Sequence, residues 1–308
     1  MGGHSSKQIH FNPVTDLPDL TGKVILITGG NAGIGYATVR HLARHGAKVY
    51  MAARNEAKAK EAIAQLNAEG LGPGNGEIVW LELDLKDIRN AKKAAEEFMT
   101  KEDKLDVLST PFFFNHMISP FILTEALLPT LKRTAAEPNS DVRVVVVASE
   151  GHRYVPSGAR FRNKEDLNKD CSKSYVPPFS RYCLTKLANI LYAKELQRQF
   201  TVAGEHITVV SLHPGAVNTF AHKLYFESLV RVLIYPFFVT PDIGGWTPAF
   251  AAASNDVKEQ AEKYQGAYLI PVGKVTEPSK KANSDELARE LWETIERTLA
   301  DIKDWRDC

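Results

Sequence analysis

Short runs of Val, Ile and Leu alternate with helical patterns along almost the whole chain, and this alternation leaves few folds open. The runs are KVILIT (23–28), AKVYMAA (47–53), EIVWLELD (77–84), LDVLS (105–109), VRVVVVAS (142–149) and HITVVSLH (206–213), with a last candidate, GAYLI, around 267–271. Helical stretches follow the first run as far as His45-Gly46, then recur at 55–69, 87–101, about 180–200 and about 284–303. Runs that are apolar throughout, rather than at every second residue, belong to strands covered on both faces. Strand–helix alternation makes such a sheet parallel. The expectation is one α/β domain, a doubly wound parallel sheet flanked by helices, over 21–308. A polar arm, 1–20, broken by Pro13 and Pro18, precedes it.

Composition narrows the function. The chain has 308 residues with 38 Lys and Arg against 37 Asp and Glu, a formal net charge of +1. A broad basic surface for nucleic acid has no charge excess to rest on. Cys171, Cys183 and Cys308 show no zinc-ligand spacing, so no metal site is expected and a reducing compartment is. The opening MGGHSSKQIHFNP lacks a signal-peptide apolar run, and no stretch reaches the roughly 18 apolar residues of a spanning helix. The expected location is cytoplasmic.

The first strand runs into Thr28-Gly29-Gly30-Asn31-Ala32-Gly33-Ile34-Gly35 and then a helix. Glycines allow close backbone approach, and a helix N-terminus offers free N–H groups to phosphate, so the turn points to a dinucleotide and a Rossmann-type sheet. The end of the second strand should read the adenosine ribose. There the sequence gives Ala52-Ala53-Arg54-Asn55, with no acid, which favours NADP(H) over NAD(H). Asp84 closes the third run, where it could reach the adenine edge or cap its own turn.

Tyr182 and Lys186 are four residues apart on a helix and share a face. Ser149 ends the most apolar strand, and His213-Pro214-Gly215 ends the next, both at the carboxyl edge where open α/β sheets bind ligands. With TGGNAGIG (28–35), VVVVASEGH, Tyr182-x-x-x-Lys186 and HPGAVNT (213–219), the chain resembles the short-chain dehydrogenase/reductases over about residues 19–300. YCLTKLANILYAKEL (182–196) and the insertion before it are similar to the retinol-dehydrogenase and WW-domain-oxidoreductase-like branch, and the carboxy-terminal third to fungal members.

The resemblance implies an oxidoreductase. Tyr182 would exchange a proton with the substrate oxygen, Ser149 would orient that oxygen, and Lys186 would hold the nicotinamide ribose. Lys186 and the positive nicotinamide would also lower the tyrosine pKa from its usual value near 10. The family's active-site asparagine falls at Asn115. Cofactor contacts fall at Gly29, Asn31, Gly33, Ile34, Gly35, Arg54, Asp84, Leu85, Tyr182, Lys186, Pro214, Val217 and Thr219. Dimers or tetramers are usual in the family, so a homo-oligomer is implied.

The pattern breaks once. Family members follow the fourth strand with Asn-Asn-Ala-Gly, whereas LDVLS (105–109) runs straight into TPFFFNHMISPFILTEALLPTL (110–131). A block of about twenty residues is absent by comparison with the family pattern, and with it one wall of the cofactor crevice. Two readings stay open: an active oxidoreductase, and a protein that keeps the fold for binding or regulation. The apolar segment about 219–245 suggests a lipophilic carbonyl or alcohol substrate, a packed amphipathic helix or, less simply, weak membrane-surface contact, with Glu227 and Arg231 interrupting its apolar run. His152 and His213 read as structural, because no second ligand cluster accompanies them.

Overall fold

All five residues of the first strand, β1 (Val24–Thr28), are buried. The computed structural model describes residues 10–110, 118–169, 171–172, 174–217 and 239–302. Beside β1 lie β2 (Lys48–Ala53), β3 (Ile78–Glu82), β4 (Val107–Thr110), β5 (Val142–Val147), β6 (Ile207–Leu212), β7 (Tyr268–Ile270) and β8 (Lys274–Val275). Their order in the single sheet is β3-β2-β1-β4-β5-β6-β7-β8. Every pairing is parallel except that of β7 with β8. The expected doubly wound sheet is therefore present. The β8 strand was not expected, since two residues carry no periodicity to read.

Because side chains alternate along a strand, each strand feeds two apolar layers. Val24 and Leu26 join Leu108, Phe121, Leu187 and Leu191 on one face, while Ile25 and Ile27 join Val39, Leu42, Leu66 and Phe250 on the other. The first layer is closed by α3 (Ile88–Lys101), α4 (Ile118–Ala135) and the long α6 (Pro177–Ala203). The second is closed by α1 (Gly33–Arg44), α2 (Glu56–Glu69) and α8 (Trp246–Ala253). Shorter helices are α5 (Lys164–Leu167), α7 (Pro241–Gly244), α9 (Asn255–Glu259) and α10 (Ala261–Tyr264), and α11 (Asp285–Ala300) ends the described chain. α6 starts three residues before the expected 180, because Pro177 and Pro178 occupy its first turn, where a missing N–H costs nothing.

Three features tie remote segments to this frame. Phe11 packs edge-on against Phe250, with ring centroids 5.1 Å apart, and so seats the segment from residue 10 onto the second layer. Trp292 of α11 stacks on Tyr192 of α6 at 5.7 Å and meets Phe121 of α4 edge-on at 4.9 Å. Arg143 interrupts the apolar β5 and is completely buried. It donates to the carbonyls of Ala251 at 3.0 Å and Ser254 at 2.8 Å, and pairs with Asp141 at 2.6 Å. A buried guanidinium persists only when its donors are matched in this way. Among the described residues no helix is long and apolar enough to cross a membrane.

Candidate active site

The sheet order reverses between β1 and β4, so the carboxyl ends of these strands open a crevice. The glycine turn enters it from β1. Gly29 donates its N–H to the Ala52 carbonyl at 2.8 Å, which anchors the turn to β2. Gly33 has φ +56°, and a Cβ there would meet nothing within 4 Å, so its outer face is open. At Gly35 a Cβ would lie 2.3 Å from the Gly29 carbonyl oxygen, so α1 can pack this close to the turn only with glycine. The first turn of α1 has no acidic residue, and its N-cap, Ala32, offers no side-chain acceptor. By contrast, Asn55, Asp87 and Ser284 cap α2, α3 and α11. The first N–H groups of α1 thus have no side-chain cap and no nearby acidic residue in the helix, which is compatible with a pyrophosphate there. Asn31 and Ile34 belong to the same turn, and the Ile34 carbonyl accepts from Thr38 Oγ1 at 2.8 Å.

Arg54 is exposed immediately beyond β2. The third strand ends at Glu82, so Asp84 lies in the loop after it rather than closing it. Its carboxylate accepts the Lys86 N–H at 3.1 Å, the turn-capping alternative. Leu85 is buried, and its carbonyl accepts from Ser119 Oγ at 2.7 Å, which joins this loop to the start of α4.

Ser149, Tyr182 and Lys186 come together at the carboxyl end of β5. The strand stops at Val147, so Ser149 does not end it but caps the 3₁₀ turn Glu150–Tyr154, accepting the Gly151 N–H at 3.2 Å. The Ser149 hydroxyl also hydrogen-bonds the Tyr182 side chain. A Cβ at Gly151 would sit 2.9 Å from Tyr182 Cε1, so the missing side chain makes room for the phenol ring. One α-helical turn on, Lys186 Nζ donates to the Val147 carbonyl at 3.1 Å, 5.7 Å from the Tyr182 ring centroid. The sequence reasoning missed Asn189, which is fully buried and donates to the same carbonyl at 2.9 Å. Its position three residues after Lys186, on the same helix face, was the available signal.

Burial governs the charges here. It pulls the Lys186 ammonium down to about 8. It also pushes the Tyr182 phenol up, against the smaller opposing pull of the Ser149 hydrogen bond. The protein's own groups thus move Tyr182 opposite to the lowering expected from Lys186. At about 8 the part-buried amine still carries its charge at pH 7, and burial of the phenol is the larger influence on Tyr182.

The two histidines are structural or unassigned in this geometry. His152 Nδ1 lies 2.8 Å from the Ser149 carbonyl, and its Nε2 accepts the Ser279 N–H at 3.0 Å. Those partners fix the neutral tautomer with the proton on Nδ1. They also pin the serine's backbone to the segment before α11. Glu150 takes the Tyr268 hydroxyl at 2.8 Å, which adds a second tie to β7. The His213 N–H bonds the Leu269 carbonyl at 2.8 Å, and its buried Nδ1 has no hydrogen-bond partner among the described residues. Among those residues no three His, Cys, Asp or Glu side chains form a group able to hold a metal ion.

Pro214 is buried beside His213, and Val217 pairs in a parallel bridge with Val239. Beyond Val239, Asp242 of α7 pairs with Arg40 and lies 3.1 Å from His41 Nε2, fixing α7 to α1. Asn115, Thr219 and most of the expected substrate-covering segment lie outside the described residues.

A glycine turn opening a helix and a Ser–Tyr–Lys group lie on one sheet edge, an arrangement suited to a nicotinamide-dependent oxidoreductase, and the comparisons with known proteins point to the same class. The family model for short chain dehydrogenases matches residues 23–111, ending where the sequence departs from the family pattern. A short-chain dehydrogenase/reductase of Armillaria gallica is 40% identical over 306 positions, covering 92% of this chain and 94% of the relative. Retinol dehydrogenase 14 of Mus musculus is 35% identical, with 92% and 87% covered. The solved structure of a Mycobacterium paratuberculosis protein, 26% identical, superimposes with a TM-score of 0.66 and covers 92% of this chain and 96% of that one. The chain belongs to the short-chain dehydrogenase/reductase family, whose members are oxidoreductases using nicotinamide cofactors.

Proposed function

We propose that this chain is an NADP(H)-dependent oxidoreductase that interconverts a lipophilic ketone or aldehyde and its alcohol in a reducing, cytoplasmic setting. The observation that carries the reading is the junction of Ser149, Tyr182 and Lys186, a hydroxyl bonded to a phenol with a part-buried amine one turn away. A bound nicotinamide supplies or accepts the hydride. In the reducing direction Tyr182 gives its phenolic proton to the substrate oxygen, and in the oxidising direction it takes that proton back. The raised phenol keeps Tyr182 protonated before reaction, in the form that donates. Ser149 bonds and orients the same oxygen. Lys186, anchored on the Val147 carbonyl, holds the ribose hydroxyls with its remaining protons. The uncapped N-terminus of α1 takes the pyrophosphate, and Arg54 takes a 2′-phosphate at the end of β2.

The apolar residues of 219–245 support a lipophilic substrate. Pro214, Val217 and Thr219 are the proposed grip on the carboxamide end, and Asn115 the proposed relay residue. A homo-oligomer is part of the same reading by family analogy.

The test is a fluorescence titration of the folded chain with NADPH and NADH, followed by carbonyl turnover with Tyr182→Phe. Micromolar or tighter binding that favours NADPH is expected, with turnover abolished and binding kept in the variant. Turnover that survives Tyr182→Phe removes the assigned chemistry. A second reading, a binding or regulatory protein on the same fold, is favoured by the lack of an Asn-Asn-Ala-Gly segment after LDVLS (105–109). A folded chain that binds neither cofactor decides for it.

A further inference from the structure

Large apolar side chains exposed on a soluble protein are normally scattered, and contiguous groups mark places where something binds. Among the described residues, Tyr154, Tyr175, Val176 and Phe179 are exposed and lie in two neighbouring stretches, just after Ser149 and just before Tyr182. Three of the aromatic rings in this part of the chain form a continuous series. Tyr154 and Phe179 have centroids 6.3 Å apart, tilted by 43°. Phe179 and Tyr182 are 6.4 Å apart and only 25° from parallel. Phe179 sits three residues before Tyr182 in the first turn of α6, so both rings project from one helix face. The series therefore starts at exposed rings and ends at the part-buried phenol that handles the proton, and burial increases along it.

We propose that Phe179 and Tyr154 form the substrate-recognition wall and select a planar, aromatic or conjugated carbonyl compound. This deepens the oxidoreductase reading above and rests on it. A flat π-system laid along the wall has an offset-stacked partner in Phe179 while its carbonyl carbon's oxygen reaches the Tyr182 hydroxyl. A saturated ring of the same size has only apolar contact. Aromatic pairs gain beyond the area they bury. Two exposed rings in series favour an elongated occupant, since a small aldehyde would touch Tyr182 without meeting either of them.

The test uses a matched pair of probes, 2-acetylnaphthalene and its fully saturated counterpart 2-acetyldecalin, with the full chain. Binding is read by saturation-transfer NMR in the presence of NADPH, and turnover is read separately. The aromatic probe is expected to bind roughly 3- to 10-fold more tightly. Phe179→Leu keeps the apolar bulk and removes the ring, so the ratio should fall towards one, with a smaller fall in Tyr154→Leu. A ratio near one in the parent, or an unchanged ratio in Phe179→Leu, overturns the proposal. Binding of both probes without turnover of either leaves the ratio readable and counts against the catalytic reading instead. Loss of vesicle pelleting in Phe179→Leu, with the probe ratio unmoved, assigns the rings to a lipid surface and likewise overturns it.

Discussion

Replacing Lys186 with methionine removes a part-buried amine whose charge the fold disfavours, and the structure sets the size and sign of the effect. In the unfolded chain the lysine titrates near 10.5, whereas burial brings it to about 8 in the folded protein. Between these values the unfolded state holds more protons, so the parent's stability rises with pH across that window and is lowest below about 8. The gap corresponds to about 3 kcal/mol of destabilisation at neutral pH. Methionine has similar length and no charge, so it relieves this cost. It forfeits the bond to the Val147 carbonyl, worth about 1 kcal/mol, but Asn189 still donates to that oxygen and leaves no orphan. The Lys186→Met protein should therefore be about 2 kcal/mol more stable than the parent at pH 7, and most of that advantage should vanish by pH 10. Urea denaturation of both proteins at pH 7, 8.5 and 10 measures it, and effects shared by the two cancel in the difference. Turnover should be lost in the same variant, since the proposed ribose anchor goes with the amine. A stability difference that is flat with pH, or a variant less stable at pH 7, refutes the argument that burial opposes the charge of Lys186.

Other perturbations probe the cofactor side and the core. Gly35→Ala places a methyl 2.3 Å from the Gly29 carbonyl and must open the turn. We expect NADPH affinity to fall by about tenfold or more, equivalent to at least about 1.4 kcal/mol, with an unchanged circular dichroism spectrum. Unaltered affinity means the turn is not the phosphate site. Arg54→Asp should weaken NADPH binding by about tenfold relative to NADH, because a carboxylate replaces the proposed phosphate partner. An unchanged ratio of the two dissociation constants removes Arg54 from that role. Arg143→Leu leaves Asp141 and the carbonyls of Ala251 and Ser254 without their buried donor. The expected loss is about 3–5 kcal/mol in urea unfolding, and a loss under about 1 kcal/mol would show that the network is not holding β5 to α8.

The sequence by itself determined the class of fold and the local frames of the site. Continuous Val, Ile and Leu runs require cover on both faces, and their alternation with helices leaves a parallel doubly wound sheet. TGGNAGIG specified its own turn, and the four-residue spacing of Tyr182 and Lys186 put both on one helix face, because helix geometry is local. The tertiary structure alone decided what those groups meet. Lys186 bonds a carbonyl 39 residues away, and Arg143 finds acceptors 108 and 111 residues away, partners that no periodicity encodes. Ser149 proved to cap a 3₁₀ turn instead of ending its strand, and Asp84 turned back on its own loop. The direction of the Tyr182 shift also depended on the finished packing, since burial is a property of every element that closes around the ring. The row of rings from Tyr154 to Tyr182 joins residues 28 positions apart, across a segment whose path only the folded sheet edge could set.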